Sequence, residues 1–362
     1  MVVYKDNFLK RIELALKKKL KKYVSLNLNP IVITQPEDVF HLPDNCKILL
    51  LRQDRIGDVL FSVPTIRALR NKFPEGRIDI ILSRKNHGVH KAINKYTNKI
   101  WIYDKEIISI FRLIRQLRKE NYDIVIDMFD SSSTTSSFFT KYLRIPLIIG
   151  IDKENRSSYT HVVPLRDKRS VYVVERIANL LTAFGIYTSE IDLSLEYLID
   201  KEDQKKAETR MGAKTKAVRL GINLLGSSKA RFWGKENHIR FIRELLKRYN
   251  DVEIFLFSTL VFTGLSNDIC KKTGARRAPL TSKVHDYASL LSTCDIIFTP
   301  DTAAVHFASA WKKPCIALYL LVSGEEPMPW HQYKSLRSTS GNLSDISVEE
   351  VIQAFEELII DN

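Results

Sequence analysis

Lys47 to Pro64 reads K-I-L-L-L-R-Q-D-R-I-G-D-V-L-F-S-V-P. Ile48 to Leu51 is a short unbroken apolar run, the pattern of an inner strand of a parallel sheet, buried on both faces. Arg52 to Gly57 is a polar turn, and from Asp58 the spacing becomes helical, with Val59, Ile66, Leu69 and Phe73 on one side. The segment therefore predicts strand, turn, helix, with Arg55, Gly57 and Asp58 at the carboxyl end of the strand. Open α/β sheets bind ligands at that end. Asp58 is thus a candidate catalytic carboxylate; it also stands where a helix N-cap belongs, and Asp is common there for backbone reasons alone.

Strand-like and helical segments alternate on both sides of this stretch. Ile78–Leu82, Ile100–Tyr103, Ile124–Met128 and Leu147–Gly150 read as strands. His87–Tyr96, Ile107–Lys119 and Val171–Phe184 read as helices, the last ended by Gly185. The polar stretch Asp192–Ala217 separates this series from a second one. There Val218–Leu224, Val252–Phe257, Asp295–Phe298 and Cys315–Leu320 are strands, and Ser347–Ile360 is a closing amphipathic helix. The expectation is an α/β chain of two doubly wound parallel-sheet domains with a ligand cleft between them. The expected division is a basic helix and connector at 1–45, a first Rossmann-like domain at 46–198, a second at 199–346 and a C-terminal helix at 347–362.

The 362 residues are 44% hydrophobic and 27% charged, ordinary for a globular chain, and no apolar run is long enough to span a bilayer. The N-terminus lacks a signal-peptide h-region, so a cytoplasmic location is expected. Cys46, Cys270, Cys294 and Cys315 are widely spaced and form no C-x-x-C pair, which argues for free thiols. The net charge of +14 favours anionic partners. Residues 1–24 carry eight Lys and Arg against Asp6 and Glu13, with Phe8, Leu9, Ile12, Leu16, Leu20 and Tyr23 at helical spacing. Such a helix either lies on an anionic membrane or packs on the protein body with a solvated lysine face. Aromatics are not interleaved with the charges, so nucleic acid is not an expected partner. Residues 27–43 then read as an irregular connector.

Two further segments carry chemistry. Pro300-Asp301-Thr302-Ala303-Ala304-Val305-His306 follows a strand and opens a helix, and its small residues let an anion approach the backbone N–H groups. Asp301 is a candidate cap there, and His306 either faces the ligand or fills a wall. After the Val218 strand, Ser227, Ser228 and Arg231 either place a cation beside hydroxyls, which suits a diphosphate leaving group, or form a solvated loop, the reading that spacing alone favours for the arginine. No D-x-D, G-x-G-x-x-G, P-loop or G-x-S-x-G motif is present, so dinucleotide, P-loop and serine-hydrolase readings lose support, and no metal site is expected.

R-I-G-D-V-L-F-S-V-P-T-I-R-A-L-R at Arg55–Arg70 resembles the opening motif of glycosyltransferase family 9, the ADP-heptose:lipopolysaccharide heptosyltransferases and their relatives. P-D-T-A-A-V-H-F-A-S-A-W-K-K-P at Pro300–Pro314 and S-S-K-A-R-F-W-G at Ser227–Gly234 resemble two more of its motifs. The resemblance implies a GT-B fold and an inverting, metal-independent transfer from a nucleotide-diphosphate sugar, ADP-linked by preference, with no further cofactor. It implies Asp58 as general base, and Arg55 and Gly57 beside the acceptor. It implies Ser227, Ser228, Arg231, Asp301, Thr302, Ala303, Ala304, Val305 and His306 around the donor diphosphate. The implied acceptor is an anionic lipid-linked glycan of the lipopolysaccharide core, met at the inner face of the inner membrane. The chain departs from the family pattern at Ala303, where Gly is usual, at Arg231 for Lys, at Gly234 for Pro, at Tyr319-Leu320 and across 257–266. Those departures keep two other readings open, a nucleotide-sugar epimerase and a non-catalytic glycan-binding or assembly protein.

Overall fold

The computed structural model describes residues 26–34, 40–224, 226, 228–320 and 332–360. The basic stretch 1–24 lies outside the described residues. The chain forms two compact units that divide between Leu193 and Ser194.

In the first unit, strands β1 (Ile31–Val32), β2 (Lys47–Leu51), β3 (Arg77–Ser83), β4 (Lys99–Tyr103), β5 (Ile124–Asp127), β6 (Leu147–Ile151) and β7 (His161–Val163) form one sheet in the order β1-β7-β6-β5-β2-β3-β4. Every pairing in it is parallel. Ile48, Leu49, Leu50 and Leu51 are wholly buried, as the unbroken apolar run predicts. Each such Leu or Ile stabilises the fold by about 1.5–3 kcal/mol. Helix α1 (Ile56–Lys72) follows β2 and buries Val59, Ile66 and Leu69. Helices α2 (Ile107–Lys119) and α3 (Thr134–Leu143) cover the sheet with Leu113, Ile114, Leu117, Phe139 and Leu143.

Three local expectations change. Ile31–Val32, read as connector, pairs with β7 and extends the sheet by a strand. His87–Ala92 is a 3₁₀ segment with a kink at Val89, not a helix to Tyr96. Val171–Phe184 resolves into helix α4 (Val173–Ala178) and a 3₁₀ turn (Asn179–Phe184) that ends at Gly185, φ +69°.

In the second unit, β8 (Val218–Asn223), β9 (Val252–Phe257), β10 (Arg276–Arg277), β11 (Ile296–Pro300), β12 (Cys315–Tyr319) and β13 (Tyr333–Arg337) form a parallel sheet in the order β10-β9-β8-β11-β12-β13. Helices α5 (Lys201–Met211), α6 (Lys235–Arg248), α7 (Thr263–Thr273), α8 (Val284–Ser292), α9 (Ala303–Trp311) and α10 (Val348–Ile360) surround it. The amphipathic stripe of α10 is part of this unit's core, with Val348, Val351, Phe355 and Leu358 buried among Phe241, Leu245 and Ile316. The four thiols are free.

Both sheets have the strand order of the Rossmann fold, in which the first strand of the series lies beside the fourth and the chain turns to opposite sides from them. That switch point falls between β2 and β5 in the first unit and between β8 and β11 in the second. The topology therefore nominates two places for ligands, the carboxyl ends of those strand pairs.

Candidate functional site

At the first switch point the loop after β2 is organised by Arg52, whose side chain is 2% exposed. Its Nε donates to the carbonyl of Asp58 at 2.8 Å, and its Nη1 donates to the carbonyl of Met128 and lies 3.2 Å from Asp54 Oδ2. The Arg52 carbonyl accepts from Asn86 Nδ2 at 2.7 Å. Asp58 is not the N-cap. The helix starts earlier, with Arg55 as N-cap and Asp58 at the third helical position. Its Oδ2 accepts from the Arg55 backbone N–H at 3.0 Å, the return arm of a capping box. Periodicity locates a helix but not which polar residue begins it. A quarter of the Asp58 side chain is exposed, so the carboxylate reaches solvent, and its Oδ1 is 4.0 Å from Arg52 Nη2. Arg55 is exposed and Gly57 half-buried at the same turn.

Beside this loop, β5 ends in Asp127, which is fully buried. Its Oδ2 accepts from Ser136 and Tyr159 hydroxyls and pairs with Lys153 Nζ at 3.3 Å, while Oδ1 accepts from Phe129 N–H at 3.1 Å. Burial lowers the Lys153 pKa, with Asp127 opposing, and raises that of Tyr159. Next to it, Arg176 and Lys168 both pair with Asp130 and, against burial, hold its carboxyl below the usual range.

At the second switch point the residues after β8 and β11 converge. Arg231 Nη1 lies 2.8 Å from Asp301 Oδ2 and donates to the Asp301 carbonyl at 2.8 Å. Asn223 Nδ2 donates to Thr299 Oγ1 at 3.0 Å and Thr302 Oγ1 at 3.2 Å. Thr302 is the N-cap of α9, its Oγ1 accepting from Ala304 N–H at 3.3 Å. This corrects the expectation that Asp301 caps the helix: Asp301 sits one residue too early and pairs with Arg231 instead. Ala304 and Val305 bury their side chains, so what they offer a ligand is backbone. Helix α9 leaves first-turn N–H donors at this end, with the positive pole of its dipole. His306 is 8% exposed, and burial pulls its pKa down to about 3, so the imidazole is neutral at physiological pH. Ser228 is exposed and starts the turn that carries Arg231, its carbonyl accepting from Arg231 N–H at 3.1 Å; Ser227 lies outside the described residues.

The loop with Arg231 is held by its neighbours in sequence. Trp233 is 1% exposed and donates from Nε1 to the Ile346 carbonyl at 2.8 Å. Gly234 has φ +108°, a conformation closed to proline, which explains the departure there. Gly226 meets Arg231 so closely that an added Cβ would lie 2.3 Å from the Arg231 Cβ.

The two switch points thus hold the predicted residues in two sets: Arg55, Gly57 and Asp58 in the first unit, and Ser228, Arg231, Asp301 and the start of α9 in the second. Sequence reading missed Arg52, Asn223 and the Asp127–Lys153 pair, whose members meet only once the strands are in register. Among the described residues no group of His, Cys, Asp and Glu has the arrangement of a metal site. Nor is any helix there long and apolar enough to cross a membrane.

Residues 110–351, more than half of the chain, match the family model for glycosyltransferase family 9 (heptosyltransferase). The chain is 23% identical over 336 residues to lipopolysaccharide heptosyltransferase 3 of Escherichia coli K12, covering 84% of this chain and 95% of that one. Among solved structures it resembles the glycosyl transferase family 9 protein of Veillonella parvula, with a TM-score of 0.76 at 18% identity over 90% of this chain and 100% of that chain. It also resembles E. coli heptosyltransferase WaaC with ADP-2-deoxy-2-fluoro heptose, with a TM-score of 0.68 at 15% identity over 86% and 99%. At those identities the structures speak to fold, which is the GT-B type with two Rossmann-like domains.

Proposed function

The chain belongs to glycosyltransferase family 9, and from that premise we propose that it moves a sugar, a heptose by preference, from an ADP-linked donor to a hydroxyl of a lipopolysaccharide-core acceptor, inverting the anomeric centre without a metal. The observation that carries this reading is the pairing of Arg231 with the start of α9 at the second switch point. A cation beside helix N–H donors supplies positive charge where a diphosphate leaves. The relative of E. coli named as a lipopolysaccharide heptosyltransferase, and the neighbour holding an ADP-heptose analogue, support the choice of acceptor and donor.

In this reading Asp58 takes the proton of the acceptor hydroxyl as that oxygen bonds to the anomeric carbon. The bond from that carbon to the diphosphate oxygen breaks, and its electron pair leaves with the nucleotide. Arg231 and the backbone N–H groups of Thr302 and Ala303, at the start of α9, receive the growing charge, with neutral His306 restricted to hydrogen bonding. Arg52 acts only through Asp58 and Asp54, fixing the loop. Residues 1–24 are proposed to touch the anionic membrane surface, gaining about 1 kcal/mol per Lys or Arg. Their deletion is expected to weaken sedimentation with anionic liposomes; unchanged sedimentation counts against it.

Asp58→Asn and Asp58→Ala test the base. Both are expected to slow nucleotide release by about 10²–10⁴-fold. Asn keeps an oxygen for the Arg55 N–H, so only the Ala variant is expected to lose about 1 kcal/mol of stability. Release of nucleotide diphosphate from ADP-, UDP-, GDP- and CDP-linked sugars is the assay. An Asp58→Asn enzyme as fast as wild type would remove Asp58 from the mechanism.

A further inference from the structure

Two consecutive side chains at the first switch point touch no reacting atom in the mechanism above. Gln53 is 8% exposed, and among the described residues neither its amide nitrogen nor its amide oxygen has a hydrogen-bond partner. Asp54 Oδ1 is buried and has no partner among the described residues either, while Oδ2 faces Arg52 Nη1 at 3.2 Å. Buried polar atoms without partners are costly, and native chains keep few of them. Three in adjacent residues, at the end of a sheet where ligands bind, call for an occupant. Arg52 cannot move to satisfy them, since it is bonded to the carbonyls of Asp58 and Met128.

The surrounding charges say what kind of occupant. Around Asp54 stand Arg52 from its own loop, Asp58 from α1 and Asp127 from β5, with Lys153 paired to Asp127. Burial, then Asp58 and Asp127, push the Asp54 carboxyl up to about 7 against the pull of Arg52. Below about pH 7 a proton is therefore held there, and with Oδ2 turned to the guanidinium it belongs on Oδ1. The set on offer is a carboxamide donor, a carboxamide acceptor and a carboxyl that donates. That set matches uncharged hydroxyls; a phosphate or carboxylate would meet the acids at 54 and 58 instead.

We propose that Gln53 and Asp54 form a hydroxyl-reading subsite that holds the acceptor sugar by a pair of its uncharged hydroxyls, next to the hydroxyl that Asp58 deprotonates. This rests on the transfer reading for the sugar's role and on the geometry of the first unit for its place. An anionic acceptor would thus be gripped here by a neutral stretch of its sugar, and its charge met elsewhere.

The test is a titration of the ¹⁵N-labelled full chain with methyl α-mannoside, a methyl heptoside and, as the anionic control, a methyl glucuronide. The side-chain NH₂ signals of Gln53 are assigned by their loss in Gln53→Leu or, independently, in Gln53→Glu. The neutral glycosides are expected to shift those signals and the glucuronide to leave them in place. Gln53→Leu is expected to raise the half-saturating glycoside concentration about tenfold, with Tm unchanged or higher because an unpartnered amide has gone. Glycoside affinity is expected to fall as pH rises through about 7 in wild type, where Asp54 gives up its proton, and to stay flat in Asp54→Asn. If no glycoside moves the Gln53 signals, or the glucuronide moves them equally, the subsite is wrong. Nucleotide release by the same preparation separates the two ideas. Release without glycoside binding sinks the subsite alone, and binding without release sinks the transfer reading alone.

Discussion

Arg231 and Asp301, seventy residues apart, meet at 2.8 Å through both the side chain and the carbonyl of the aspartate. The pair joins the loop after β8 to the turn after β11. A guanidinium has five N–H donors, so binding Asp301 leaves capacity for an anion. Arg231→Ala is expected to slow turnover about 10²-fold. Unfolding free energy should change by less than about 1 kcal/mol, because a partly exposed pair contributes little. Arg231→Lys keeps the charge and loses the planar fork, so its turnover should lie between the two. Steady-state release of nucleotide diphosphate with a thermal melt checks all three, and wild-type turnover in Arg231→Ala would refute the role.

Gly234 ties this loop to α6 at φ +108° and ψ 140°, a region that is essentially glycine's alone. Gly234→Ala is expected to cost about 1–3 kcal/mol. Since Trp233 and Arg231 hang on the same turn, donor binding should weaken with it. A urea midpoint that does not move would show that the backbone at 234 is free to relax.

His306 has a folded pKa near 3, below its ordinary value of 6.5, because burial disfavours the imidazolium. The unfolded chain therefore binds a proton below pH 6.5 that the folded chain refuses. The stability that His306 contributes is complete above pH 6.5 and is lost as pH falls toward 3. Relative to wild type, His306→Gln lacks this loss. Its deficit should shrink below pH 6.5 by up to about 1.4 kcal/mol per pH unit. Urea unfolding of both proteins at pH 7, 6 and 5 measures the difference, and a constant gap would mean that the imidazole is hydrated in the folded state.

The strand-turn-helix at 47–64 was legible because an unbroken apolar run followed by helical spacing has few other solutions, and Ile48–Leu51 are indeed buried throughout. The start of α9 was legible for the same reason. The caps were not. Asp58 and Thr302 lie within a few residues of Arg55 and Asp301, and periodicity does not rank polar neighbours. Contacts between strands were further out of reach. Asp127 and Lys153 are twenty-six residues apart and meet because β5 and β6 are adjacent. Gln53 and Asp54 lay unremarked in the polar turn, since nothing local says that Arg52 and Gln53 are drawn inward.

The indole of Trp233 is fixed by a carbonyl 113 positions further along. Chains are synthesised from the amino end and fold as they emerge. The arginine turn is thus translated long before the peptide group that steadies it, and α10, which supplies much of that unit's packing, comes last of all. A ribosome that stalls before residue 346 would release a chain whose first half is whole and whose arginine turn lacks that anchor. Acquisition of nucleotide affinity should therefore be among the latest events in the birth of this enzyme.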